Sequence, residues 1–367
     1  MSEESVDVAV IGAGAMGAAT AWQLARRGVS VEVFEQFEPG HVRGASHGAS
    51  RNFNVAYDEA TYLTWLREAR VLWRELEDES SAALLTVTGI VTHGGSRDLE
   101  STAAAIRAGG FDADLLDAGE AHRRWPGIRF DGPVLHTPDA GRLHADASVA
   151  ALLGRVEALG GRVHGRTRVE DLDVRDDDHV AFRAVDESGE RRVRARRVVT
   201  TAGAWTSRVL GTTDAARALP RLRVTQEQPA HFAPRDAATV WPGFNHLPAP
   251  DARETAWFPA GIYGMFTPGE GVKAGWHAAG PETDPDRRSF TPDPALTAAL
   301  VRYAREWLPG VDPDDFSEIT CTYTSTPDSR FVLDRFGPVV VGAGFSGHGF
   351  KFTPVIGRIL ADAVVRD

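Results

Sequence analysis

The order of apolar and polar positions predicts a strand, a tight turn, a helix and a second strand over residues 6–35. VDVAVIG is a short run rich in β-branched residues, as expected of a buried parallel strand. AATAWQLARRG then reads as a helix, and Gly28 closes it. VSVEVFE is the next strand and finishes in Glu35. The rhythm returns twice. RRVVTTAGAWTSRVL reads as a strand, a small-residue turn (Thr201, Ala202, Gly203) and a helix, and PVVVGAGFSGHGFKFTPVIGRILADAVV as a strand, a glycine-rich turn and a helix. Residues from about 84 to 145 and 222 to 318 lack it and carry more Pro, Trp and turn signals. Residues 176–195 read as a polar, solvated hairpin.

Between the first strand and helix lies Gly12-Ala13-Gly14-Ala15-Met16-Gly17, a GxGxxG. Gly12 permits the sharp turn, Gly14 lets backbone approach a pyrophosphate, and Gly17 lets the helix lie close to the strand. The helix N-terminus then faces the phosphates. Glu35 stands where an acid bonds the ribose hydroxyls, which favours FAD or NAD over NADP. The glycines alone are a weak signal. Strand, turn, helix, second strand and acid in order are a strong one. The C-terminal unit separates the two dinucleotides. It supplies a second helix N-terminus, which an NAD enzyme does not need and which stabilises the negative charge of a reduced flavin. For the middle unit, Gly203 and Trp205 along the cofactor and a routine strand-to-helix connection remain equal readings.

Composition narrows the classes. Apolar residues make up 43% and charged residues 25%, the balance of a soluble globular protein of two interleaved domains. No stretch is apolar for the length of a membrane helix, and MSEESVDVAV lacks the basic start of a secretory signal. The net charge of −11 argues against nucleic acid as a partner. One cysteine excludes an internal disulfide and a multi-cysteine metal site, and suits a cytoplasmic setting.

With these segments in hand, the chain resembles the monomeric sarcosine oxidase and N-methyltryptophan oxidase family, within the glycine oxidase and D-amino-acid oxidase superfamily. Five separated motifs carry the resemblance: IGAGAMGAATAWQLARRG with Glu35, GASHGASR (44–51), VKAGWH (272–277), TCTYTSTPDSRFVLD (320–334) and GFSGHGFKF (344–352). The fold it implies is α/β: a discontinuous Rossmann-like FAD-binding domain (1–83, 146–221 and 319–367) and a substrate domain on a mainly antiparallel sheet (84–145 and 222–318).

The resemblance also assigns residues. A free cysteine is ordinarily a small buried hydrophobe; the motif instead makes Cys321 the attachment point of a covalent FAD, a reaction that wants a thiol of lowered pKa or the flavin itself beside it. Lys273 sits over the flavin as the cation that assists oxygen reduction. His277, four residues on, shares its face if the segment is regular strand. Arg51 lies close to the flavin ring, bonding substrate or its own backbone neighbours. Lys351 binds the substrate carboxylate as a point charge. His348 is either a polar pocket wall or a structural histidine. Tyr263 is a pocket tyrosine, and Met265, Phe53, Trp257, Trp276 and Phe345 are candidate walls, with core the safer place for Trp257. Ser46, Val169, Gly203, Trp205, Gly344, Gly347 and Gly349 complete the expected cofactor contacts.

One departure bears on the substrate. The family has a second arginine three residues after the first, which clamps the substrate carboxylate. Here the stretch is Arg51-Asn52-Phe53-Asn54, and Asn54 cannot supply that charged fork. The expected activity is therefore oxidation of a secondary amine, N-methylated or cyclic, to an imine that hydrolyses, with oxygen reduced to hydrogen peroxide by a monomer or weak homo-oligomer. Two other readings remain: a biosynthetic oxidase or dehydrogenase of a bulky, carboxylate-free amine, and a flavin-binding sensor without turnover.

Overall fold

The computed structural model describes residues 3–176, 179–249 and 252–366. Its first sheet has five strands in parallel, ordered Arg162–His164, Val31–Phe34, Glu3–Ile11, Gly189–Thr200 and Val339–Ala343. Strands Arg168–Asp176, His179–Asp186 and Val332–Phe336 extend it in antiparallel pairing. The predicted hairpin is seen over 179–195, but only its charged face is solvated: Val180, Phe182, Ala184, Val193 and Ala195 are buried in a core of their own; Asp177 and Asp178 lie outside the described residues.

The three predicted strand–turn–helix units all converge on this sheet. Helices Ala15–Ala25 and Thr353–Val365 cover one face, so close that a Cβ on Gly357 would stand 2.5 Å from the carbonyl carbon of Ala19. Helix Ala60–Ser80 is amphipathic: Leu63, Leu66, Ala69, Leu72, Trp73 and Leu76 are buried at helical spacing, and Ser81 closes it in the left-handed region. It packs on the same side.

The second large sheet also has eight strands. Its order is Val311–Glu318, Ala230–Pro234, Gly271–Trp276, Ile262–Thr267, Gly243–His246, Ile90–His93, Val134–Thr137 and Asp114–Leu116. Only Gly243–His246 and Ile90–His93 pair in parallel, so the sheet is mainly antiparallel as expected. Its core lies against helix Pro294–Trp307, which starts with Asp293 capping the Ala295 N–H and Pro294 in the first turn. Two short ladders border the cavity between the large sheets. One joins Arg51–Phe53, Gly141–Leu143 and Leu85–Val87; the other pairs Arg223–Glu227 with Cys321–Ser325. No helix among the described residues is long and apolar enough to cross a membrane.

Candidate active site

Strand Glu3–Ile11 delivers the chain to Gly12, where φ is +99° and an added Cβ would lie 2.8 Å from the Thr201 carbonyl oxygen. A Cβ on Gly17 would stand 1.9 Å from the Gly12 carbonyl oxygen, so Gly17 serves the close approach of helix to turn and is not itself a cavity wall. Gly14 precedes the helix and supplies no side-chain cap; Ser46 Oγ accepts from the Ala15 N–H at 3.0 Å. Glu35 is buried at the end of its strand. Its two oxygens accept from Ala13 N–H at 2.9 Å and Phe37 N–H at 3.0 Å. Each still has lone-pair capacity toward a ligand hydroxyl.

Gly12, Gly14, Glu35, Ser46, Val169, Gly203 and Trp205 all line one cavity of about 1510 Å³. A single drug-sized ligand occupies ~300–1,000 Å³, so the cavity has room for a dinucleotide and a substrate together. With an open helix N-terminus, a strained glycine turn and a strand-end acid on one wall, these residues fit FAD.

The opposite wall comes from the second sheet. Strand Gly271–Trp276 is buried throughout. Lys273 Nζ donates to the Ser50 carbonyl at 3.4 Å, and burial first, then the Arg51 guanidinium, bring its pKa down to about 7. His277 follows the strand and lines the same cavity, as the four-residue spacing predicts. Its Nδ1 lies 3.5 Å from the Tyr323 hydroxyl. Arg51 donates to the carbonyls of Ala45, His47 and Ser50, so it fastens its own loop while lining the cavity.

Cys321 is buried against this cavity, and its strand partner in register is Glu227. Burial pushes the thiol up; Arg51, Lys273 and Arg288 pull it down and Glu227 opposes them. The lowered thiol that flavin attachment would want is therefore absent from the protein's own field: desolvation outweighs three nearby cations.

At the far end Lys351 Nζ donates to the His348 carbonyl at 2.7 Å and to the Tyr57 hydroxyl at 3.0 Å. Burial lowers Lys351 to about 7. Tyr57 Oη is 3.1 Å from His348 Nδ1, and His348 Nε2 is 3.0 Å from the Ser329 carbonyl. An ammonium only donates and a carbonyl only accepts. The order is thus fixed: Lys351 to Tyr57, Tyr57 to His348 Nδ1, His348 Nε2–H to Ser329. His348 is both a cavity wall and a fully engaged structural residue, combining the two open readings.

Asn54 faces the cavity, with its side-chain oxygen accepting from the Ala56 N–H at 3.0 Å. Tyr263, Met265, Phe345, Gly344, Gly347 and Gly349 line it too. Two expected walls, Phe53 and Trp276, are elsewhere, and Trp257 lies at the core, the safer of its two readings. Phe53 is fully buried in the core beneath the first sheet, and Trp257 and Trp276 pack around Tyr303 and Phe258 under the second. Phe53 is the last residue of a short strand and turns inward, and Trp276 alternates away from the cavity face that Lys273 occupies.

The residue-by-residue reading missed Tyr57, Tyr323 and Arg97, all of which line the cavity. Tyr323 was within reach, since it lies two positions from Cys321 in a strand and so shares its face. Tyr57 and Arg97 follow no local motif.

The family model described as FAD dependent oxidoreductase matches residues 7–363. The chain is 32% identical to monomeric sarcosine oxidase from Bacillus sp. (strain NS-129), over 97% of this chain and 92% of that one. It is 29% identical to N-methyl-L-tryptophan oxidase from Salmonella arizonae, over 97% and 94%. Among solved structures it is similar to a Tyr258Phe mutant of NikD, described as an unusual amino acid oxidase essential for nikkomycin biosynthesis. That match has a TM-score of 0.86 and 29% identity, and covers 99% of this chain and 94% of that one.

Proposed function

Since the chain belongs to the FAD dependent oxidoreductase family, we propose that it oxidises a secondary amine, N-methylated or cyclic, at the carbon beside nitrogen, with oxygen as acceptor and hydrogen peroxide as product. The observation that carries this is the meeting, in one cavity, of the glycine turn and Glu35 with Lys273, His277, Cys321 and Lys351. On this reading residues 1–83, 146–221 and 319–367 hold the cofactor, and 84–145 with 222–318 hold the substrate.

FAD, when bound, accepts the two electrons that leave the substrate C–N unit. The chain supplies position and field. Gly12, Gly14, Ser46 and Glu35 hold the dinucleotide. Lys273 holds a cation in a water-poor site, where the negative charge of one-electron-reduced oxygen is stabilised most. Its pKa near 7 makes it a cation whose charge is easily lost, so an adjoining negative charge strengthens it. Lys351, fixed by Tyr57 and the His348 carbonyl, presents its remaining N–H to an anionic substrate group. His277 and Tyr323 border the amine. Cys321 Sγ would be the point of covalent attachment for the cofactor, and Arg51, Lys273 and Arg288 are the groups that favour its thiolate against the effect of burial.

Anaerobic mixing with a panel of N-methyl and cyclic amines is expected to bleach the bound flavin with at least one, and air to restore it with release of peroxide. Failure of every amine leaves the sensor reading. After acid precipitation, yellow colour and added mass on the Cys321 peptide are expected; colour in the supernatant removes Cys321 from this role. A second reading, a biosynthetic oxidase of a bulky amine, is favoured by Asn54, whose carbonyl is committed to its own turn. It predicts faster turnover with an artificial electron acceptor than with oxygen.

A further inference from the structure

Arg97 lies between strand Ile90–His93 and helix Leu99–Ala108, and it lines the same cavity as Asn54 and Tyr57. Its Nη1 donates to the Ala56 carbonyl at 2.7 Å. That is its one hydrogen bond among the described residues, and none of their ion pairs includes it. The same residue receives Asn54: the Asn54 carbonyl accepts the Ala56 N–H at 3.0 Å. Ala56 therefore carries on its N–H the Asn54 amide, and on its C=O a guanidinium brought by the loop that leaves the second sheet. The positive field of Arg97 reaches the Tyr57 phenol, where it opposes the rise that burial causes. Tyr57 in turn bonds Lys351.

We propose that Arg97 reads an anionic group of the substrate, so that the substrate is an amine whose carboxylate lies at the Arg97 loop. The inference rests on the amine-oxidation reading above. A guanidinium has five N–H donors in a planar fork. With one spent on Ala56, a carboxylate can still take two in parallel. A half-buried cation without a counter-ion is relieved by an anionic ligand, whereas a neutral ligand leaves it unpaired. The cavity wall also carries Glu59, whose field reaches Tyr57 as that of Arg97 does, and neutral hydrogen-bonding groups. Asn245 Nδ2 donates to Thr92 Oγ1 at 3.1 Å, and Asn52 Oδ1 is buried with no partner.

The test uses the holoenzyme and two probe series, acetate, butyrate and hexanoate against acetamide, butyramide and hexanamide, titrated by the change in flavin absorbance. In the unaltered protein the longer carboxylates are expected to bind at least tenfold more tightly than their amides. Arg97→Gln keeps an N–H for the Ala56 carbonyl and removes the charge. It is expected to weaken the carboxylates at least tenfold and leave the amides within twofold. Arg97→Ser gives the same comparison if the glutamine variant does not fold. The double variant Asn54→Arg/Arg97→Gln is expected to move the preference to acetate. Unchanged carboxylate binding in Arg97→Gln, or equal loss for carboxylates and amides, overturns the proposal. If no amine bleaches the flavin yet the carboxylate discrimination depends on Arg97, the oxidase reading fails and the anion site stands.

Discussion

The two walls of the cavity are built from different materials. The wall at the glycine turn is backbone: Gly12 is placed by steric limits, Gly17 behind it lets the helix approach, and the N–H groups of Ala13 and Ala15 meet Glu35 and Ser46. The opposite wall is buried charge: Lys273 and Lys351, each lowered to about 7, with Arg51 tied to its loop and Arg97 bonded to Ala56. Backbone geometry tolerates no added atoms and is indifferent to pH. Buried charge accepts changes of shape but answers to every nearby charge and proton. The two walls should therefore fail in different ways.

The largest effect is expected on the backbone side. Gly17→Val places atoms where a Cβ is already 1.9 Å from the Gly12 carbonyl oxygen. The flavin-to-protein absorbance ratio should fall to near zero and the unfolding midpoint should drop, since overpacking costs ~1–3 kcal/mol even at more forgiving sites. Retained flavin would show that the turn can open. On the charged side Lys273→Met should fold and bind flavin, yet slow reoxidation by oxygen ~10²-fold or more with little change in anaerobic reduction, as stopped-flow absorbance resolves. Equal rates in both half-reactions would remove its role.

The next effect is a slope. His93 and His246 are buried together under the second sheet, with ring centroids 4.1 Å apart. Burial holds His246 to about 4, and His93 is also well below 6.5. An unfolded histidine titrates near 6.5, so below that pH the unfolded chain binds protons that the folded chain refuses. Stability is full above 6.5 and falls as pH drops towards 4, by up to ~1.4 kcal/mol per pH unit for each such group. Urea unfolding between pH 4.5 and 7.5 measures it, and His246→Phe should flatten the curve; an unchanged slope places the acid sensitivity elsewhere. The smallest effect is expected from Tyr57→Phe. It removes the hydroxyl shared by Lys351 and His348, worth ~1 kcal/mol, and should raise KM severalfold with kcat nearly constant.

The same contrast explains what was legible in the sequence. The glycine turn, its helix and Glu35 lie within one short stretch, where sterics and periodicity act locally. The motif residues Arg51, Lys273, His277, Cys321 and Lys351 were found through resemblance, and the fold brings them to one cavity. What was not legible is contact across the chain. Lys273 meets Ser50 over 223 positions, and Tyr57 meets Lys351 over 294. Nor could the sequence say that burial would outweigh three cations at Cys321. The misplaced walls have a simpler cause: an aromatic residue suits a core as well as a pocket, and strand alternation sent Trp276 to the other face.

The strand Val339–Ala343 completes the parallel sheet beside Gly189–Thr200, and the helix Thr353–Val365 lies against Ala15–Ala25. The helix after the first strand and the last described helix are thus immediate neighbours. A ribosome building this protein at ~5–20 residues per second has made the phosphate turn long before the strand and helix that back it exist. For most of translation the cradle is an unfinished edge, and its apolar helix face waits for a partner still unsynthesised. Closure of the glycine turn's helix face therefore waits on residues 339–365, whatever folds before them.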